Sequence, residues 1–185
     1  MISGFKRLVM FLILVLMANT VIADGIVVSN ATAFLEGDVY LVDATLEFEF
    51  DEEVLQALQH GVAFNIDIEI RLRRERNWLW DPKVKEEILS LRLEQHPLSN
   101  RYIITNINTG NRQQFQSLHD ALNRLGEIDN YFLVSQAVLS PDENYICMIR
   151  AELSTETVPA AIRPAALLSK KWQMDSPWFE WVLER

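Results

Sequence analysis

An antiparallel β-sandwich is the fold class this sequence predicts, and three observations predict it. Apolar and polar residues alternate over long runs, only two stretches carry short helical patterns, and turn residues recur roughly every 8 to 12 positions. An immunoglobulin-like arrangement is one form such a mainly β chain takes, and a two-layer α+β fold is the alternative. A parallel α/β sheet would need longer crossover helices than these patterns offer.

The chain opens on Lys6 and Arg7, followed by an unbroken apolar run of 11 residues, Leu8 to Ala18, then Val21 and Ala23. Positive charge, apolar run and small residues in that order predict a secretory signal peptide over residues 1–23, cleaved after Ala23. At about 1.5 Å per residue the run falls short of the roughly 30 Å hydrocarbon core. Recruiting Val21 and Ile22 gives the alternative, an inner-membrane anchor over residues 8–23, and only in that form does the protein contact membrane. Either way the remainder is expected outside the cytoplasm, in the periplasm.

Residues 24–185 are expected to form a single β-rich globular domain, long enough to bury about two-thirds of its unfolded surface. The whole chain carries 26 acidic and 17 basic residues, net −9; without Lys6 and Arg7 the balance is 26 against 15, or −11. Such a domain repels nucleic acid, so no nucleic-acid partner is expected. The one cysteine, Cys147, has no partner for an internal disulfide and lies in the apolar run Tyr145 to Ile149, where a buried small side chain is the simplest reading.

Tyr40, Val42, Ala44, Leu46, Phe48 and Phe50 share one parity, and Asp43, Thr45, Glu47 and Glu49 the other, which predicts a long strand with one buried face. Asp51 is placed as an N-cap, Glu52 and Glu53 as a first turn, Val54, Leu55 and Leu58 as an apolar stripe, and Gly61 as the left-handed C′ residue of a short helix. Val62 to Leu72 alternates again and is expected to neighbour the first strand, with a bulge or exit near Arg74 and Arg76. Strands follow over 88–94 and 102–107, the latter ending in Asn108 to Asn111, and Gln113 to Phe115 completes a hairpin. Ser117 and Asp120 resemble a capping box ahead of the stripe Leu118, Ala121, Leu122 and Leu125, with Gly126 as the stop. A final hairpin is expected from 131–139 through a turn at 140–144 to 145–153. Pro159 and Pro164 then forbid a long helix in a tail that carries Trp172, Trp178 and Trp181.

Sites are sparse. His60, His96 and His119 are scattered without metal-ligand spacing, and neither G-x-S-x-G nor a phosphate-cradling glycine loop occurs, so no cofactor or metal is expected and no catalytic residue is assigned. The distinctive polar run is Arg71, Arg73, Arg74 and Arg76 with Trp78 and Trp80, basic within an acidic domain. Guanidinium forks beside indole faces suit a carboxylate, a phosphate or an acidic partner. The structural reading is that Arg71 and Arg73 pair across strands with Glu47 and Glu49. Arginines lying against an acidic strand would favour that reading; arginines converging with Trp78 and Trp80 on a concavity would favour binding. The tail tryptophans likewise either plug an open end of the sandwich or form a sugar-stacking platform.

Three blocks, ALQHGVAFNIDIEIRLRRERNWLWD, RYIITNINTGNRQQFQSLHDALNRLG and VPAAIRPAALLSKKWQMDSPWFEW, together resemble an exported proteobacterial family described as domain of unknown function 4390. The resemblance covers about residues 24–183. The family's last block carries Gly where Pro177 stands and Tyr where Phe179 stands, a departure that bears on the tail's turn geometry. None of the blocks is a catalytic motif, so the resemblance implies a fold and a compartment, not an activity. It also implies genes placed near a membrane sensor kinase, and thus a membrane or periplasmic signalling partner. The function expected is a non-enzymatic periplasmic interaction or sensing module linked to envelope signalling. The alternative is an envelope hydrolase acting on glycan or peptide through paired carboxylates.

Overall fold

The computed structural model describes residues 25–75, 83–154, 158, 160 and 163–184. Among the described residues nine strands form two antiparallel sheets, so the chain is mainly β and sandwich-like as predicted. Strands β1 (Gly25–Glu36), β2 (Val39–Glu49) and β7 (Glu127–Ser135) make a three-stranded sheet in the order β1-β2-β7. The wider sheet holds β3 (Phe64–Arg74), β4 (Lys83–His96), β5 (Arg101–Asn106), β6 (Arg112–Phe115), β8 (Tyr145–Ser154) and β9 (Phe179–Val182), ordered β6-β5-β4-β3-β8-β9.

Side-chain parity is as expected. Tyr40, Val42, Ala44 and Leu46 of β2 face inward, as do Phe64, Ile66, Ile68, Ile70 and Leu72 of β3. Phe50 and Phe64 meet edge to face at 6.2 Å, and Phe64 meets Trp172 at 5.7 Å. These two strands are not neighbours, however, which corrects the expected pairing. Strand β2 is bonded on both edges, to β1 and β7, and β3 to β4 and β8, so their apolar faces meet across the sandwich instead of side by side. Helix α1 (Glu52–Gln59) carries the chain from one sheet to the other. Asp51 accepts the Glu53 N–H at 2.8 Å as its N-cap, and Gly61 takes the left-handed φ of 83° that ends it.

The expected last hairpin is also corrected. Strands β7 and β8 lie in different sheets, β7 beside β2 and β8 between β3 and β9, and the stretch between them crosses the sandwich edge through a 3-10 turn at Gln136–Val138. Strand β1 was not predicted. It has an alternating pattern, but a register shift between Val28 and Asn30 breaks the parity, so Ile26 and Val28 point inward before it and Ala31 after it. It returns into β2 through the two-residue turn Gly37–Asp38, where Gly37 has a φ of 61°.

Helix α2 (Leu118–Gly126) is capped by Ser117, whose hydroxyl accepts the Asp120 N–H at 3.1 Å. It packs on β2, β5, β6 and β7, filling a corner that the narrow sheet does not reach. Gly126 ends it for a reason other than a left-handed turn: a Cβ there would stand 2.0 Å from the Leu46 carbonyl oxygen. In the tail, a short helix α3 (Arg163–Leu168) begins around Pro164, a position where the missing N–H costs nothing.

Candidate functional site

Strand β3 directs Arg71 and Arg73 outward, on the face away from the core, because Ile70 and Leu72 take the inward positions. Arg71 stands opposite Glu86 in the β3–β4 register, and its Nε lies 2.7 Å from Glu86 Oε1. It also pairs with Glu69 on its own strand. Arg150, opposite Glu69 in the β3–β8 register, donates from Nε to Glu69 Oε2 at 2.9 Å. Glu69 is only 8% exposed, and such a carboxylate is tolerable because two guanidinium groups answer it. Arg73 Nη2 lies 3.5 Å from Glu180 Oε2, and Arg74 Nε 2.6 Å from Glu143 Oε2. The Glu86 carboxyl is held down at about 2, first by hydrogen bonds from Lys83 at 2.6 and 2.8 Å, with Glu69 and Arg71 adding to it.

The proposed partners Glu47 and Glu49 take no part, because β2 belongs to the other sheet. The acids that do answer the arginines come from β3 itself, β4, β9 and the turn before β8. An indole does join the cluster, but it is Trp178: its ring lies 4.6 Å from the Arg71 guanidinium carbon and 4.7 Å from that of Arg150. Arg76, Trp78 and Trp80 lie outside the described residues. The arrangement fastens the tail along the edge of β8, with Trp178 laid against the arginines of the outer face. Ser176 N–H bonds the Ala151 carbonyl at 2.8 Å, Leu153 N–H the Met174 carbonyl at 2.8 Å, and Leu183 N–H the Tyr145 carbonyl at 2.9 Å. Nothing in the strand pattern of β3 alone could have brought Arg150 and Trp178 to this point, since both arrive by long-range pairing.

The three tail tryptophans do not share a face. Trp172 is buried against Phe64 and donates its indole N–H to Glu53 at 3.0 Å, closing one end of the core, while Trp181 sits in β9 opposite Cys147. Cys147 is fully buried, and burial pushes its thiol up to about 12, so it offers no thiolate. Among the described residues no three or more His, Cys, Asp or Glu side chains could hold one metal ion.

A concavity lies elsewhere. The three-stranded sheet is too narrow to cover β4, β5 and β6, and α2 covers them only in part. A cleft of about 290 Å³ remains, floored by Leu89, Leu91, Ile104 and Ile128 and rimmed by Tyr131, Asn106, Gln113, Arg124, Glu127 and Asp129. Tyr131 keeps its proton, because burial, and secondarily the charge of Glu87, raise its phenol. Arg124 donates to the Glu127 carbonyl at 2.7 Å and lies 3.9 Å from Asp129, so one rim carboxylate already faces a fixed cation. Sequence reasoning missed this cleft, whose walls come from four strands and a helix. The mismatch in sheet width that opens it is not written in any local pattern.

No helix among the described residues is long and apolar enough to cross a membrane. No curated protein and no solved structure matches the chain. The family model described as domain of unknown function (DUF4390) matches residues 23–182, nearly all of the two-sheet domain, and the chain belongs to that family.

Proposed function

We propose that this protein is an exported, non-enzymatic interaction or sensing module that receives a ligand or partner segment in the cleft between the two sheets. The observation that carries the reading is the apolar floor of Leu89, Leu91, Ile104 and Ile128 beneath a rim of amides and paired charges. That is the composition of a binding pocket: apolar area supplies affinity, and a few polar groups fix orientation. The arginine face of β3 is the weaker choice, since acids of the same chain already occupy Arg71, Arg73 and Arg74. An exported location rests on Lys6, Arg7 and the Leu8–Ala18 run, and amino-terminal sequencing of the protein recovered from periplasm tests it by showing whether Met1 or residue 24 comes first. The partner in this reading is a membrane or periplasmic protein such as a sensor kinase.

Leu89→Trp is the test of the cleft. The larger ring fills the floor from a half-buried position without removing a rim group. Envelope extract passed over immobilised wild type and over the variant should leave at least one protein on the wild type alone. Identical retained sets, with both forms showing the same unfolding midpoint, would remove the cleft from the account.

A further inference from the structure

Four strands form the edges of the two sheets, and three of them carry features that discourage a new neighbour. Strands β6 and β9 are four residues long and bear Arg112 and Glu180, and β7 bears Glu127 and Asp129. Strand β1 differs. It is twelve residues long, and Gly25 to Leu35 contains no charged residue and no proline, in a chain where 23% of residues are charged. Among the described residues only β2 pairs with it. A long, uncharged edge presents a row of main-chain donors and acceptors that can bond another strand.

The side chains along that edge are arranged in a self-complementary way. Counted as a plain alternation, Val27 and Phe34 would fall on opposite faces. The register shift between Val28 and Asn30 adds one residue and puts both on the outer face, where Val27 is 51% and Phe34 36% exposed. Turning the strand about a twofold axis at Ala31 then lays Val27 of one copy opposite Phe34 of the other, Val28 opposite Ala33, and Asn30 opposite Thr32. Outward residues meet outward residues throughout, small Ala31 meets itself at the axis, and no like charges face each other. Phe34 already lies beside Leu41 across β1–β2, and Leu41 beside Phe132 across β2–β7, so the apolar strip on this face would run on into the second copy.

We propose that β1 is a dimer edge, pairing antiparallel with β1 of a second copy of this chain and joining two three-stranded sheets into one of six strands. A twofold pairing buries the same patch on both copies and closes on itself, so it ends at the dimer.

Sedimentation equilibrium of the purified full chain should show a dimer that dissociates on dilution. Val27→Lys and Phe34→Glu each disturb two symmetry-related pairs, and each should raise the dissociation constant roughly tenfold, equivalent to about 1.4 kcal/mol. The double variant Val27→Lys/Phe34→Glu places each new lysine opposite a new glutamate of the other copy, and its dissociation constant should return toward the wild-type value. Circular dichroism and urea midpoints matched to wild type keep folding defects apart from association. A wild type that remains monomeric overturns the proposal, as does a dimer indifferent to Val27→Lys, and a double variant no tighter than the singles overturns the register.

Discussion

Replacing Gly126 with alanine sets two effects of opposite sign against each other. Gly126 closes a helix at a φ outside the left-handed region, so removing a glycine's unfolded-state freedom there would stabilise by about 0.4 to 1 kcal/mol. Against this, the new Cβ would lie 2.0 Å from the Leu46 oxygen and 3.0 Å from its carbonyl carbon. Ordinary contact needs about 1.4 Å more, and both obstructing atoms are backbone of β2, so no rotamer change relieves the clash. The α2–β7 junction must lift instead, carrying with it Leu125, fully buried, and Ile128, 4% exposed. Overpacking of this kind costs roughly 1 to 3 kcal/mol, and a backbone obstruction belongs at the upper end. The clash wins by about 2 kcal/mol, which for a domain of this size lowers Tm by roughly 4 to 8 °C. Urea unfolding followed by far-ultraviolet circular dichroism measures it, with an unchanged m-value showing that stability alone has moved. A variant as stable as wild type would refute the argument that this glycine is demanded by the approach of β2.

Trp178→Ala should release the tail from the wide sheet. Two cation–π contacts at partly exposed sites are worth about 1 to 2 kcal/mol together, and hydrogen exchange should quicken at the Leu153, Ser176 and Leu183 amides while the β2 and β3 core amides keep their rates; unchanged exchange at those three would show that the indole does not hold the tail. The folded-state value of Glu86, about 2, lies below its ordinary 4.5, so its ion pairs contribute stability above pH 4.5 that is lost as pH falls from 4.5 toward 2. Glu86→Gln should therefore flatten the fall of the urea midpoint across that window, and a slope equal to wild type would count against the pairing of Glu86 with Lys83 and Arg71.

Period-two alternation at Tyr40–Phe50 and Val62–Leu72 was enough to say which face of each strand turns to the core, and Asp51, Gly61 and Ser117 were enough to place helix ends. These are local matters: a pleat turns alternate residues to one face, and a cap bonds an amide two or three residues away. Neighbours were not legible. The alternation that buries β2 and β3 is satisfied equally by pairing side by side and by facing each other, and only the folded chain, in which β1 and β7 occupy both edges of β2, decides for the second. The same limit placed β7 and β8 in a hairpin they do not form. It also hid β1, whose pattern is interrupted at the register shift. The arginines of β3 were recognisable as a feature, but Glu86, Arg150 and the Trp178 ring are brought beside them and Glu69 by long-range pairing, a property of pairs of segments. The cleft beneath α2 goes one level further. It exists because three strands cannot cover six, a relation between whole sheets that no window of residues contains.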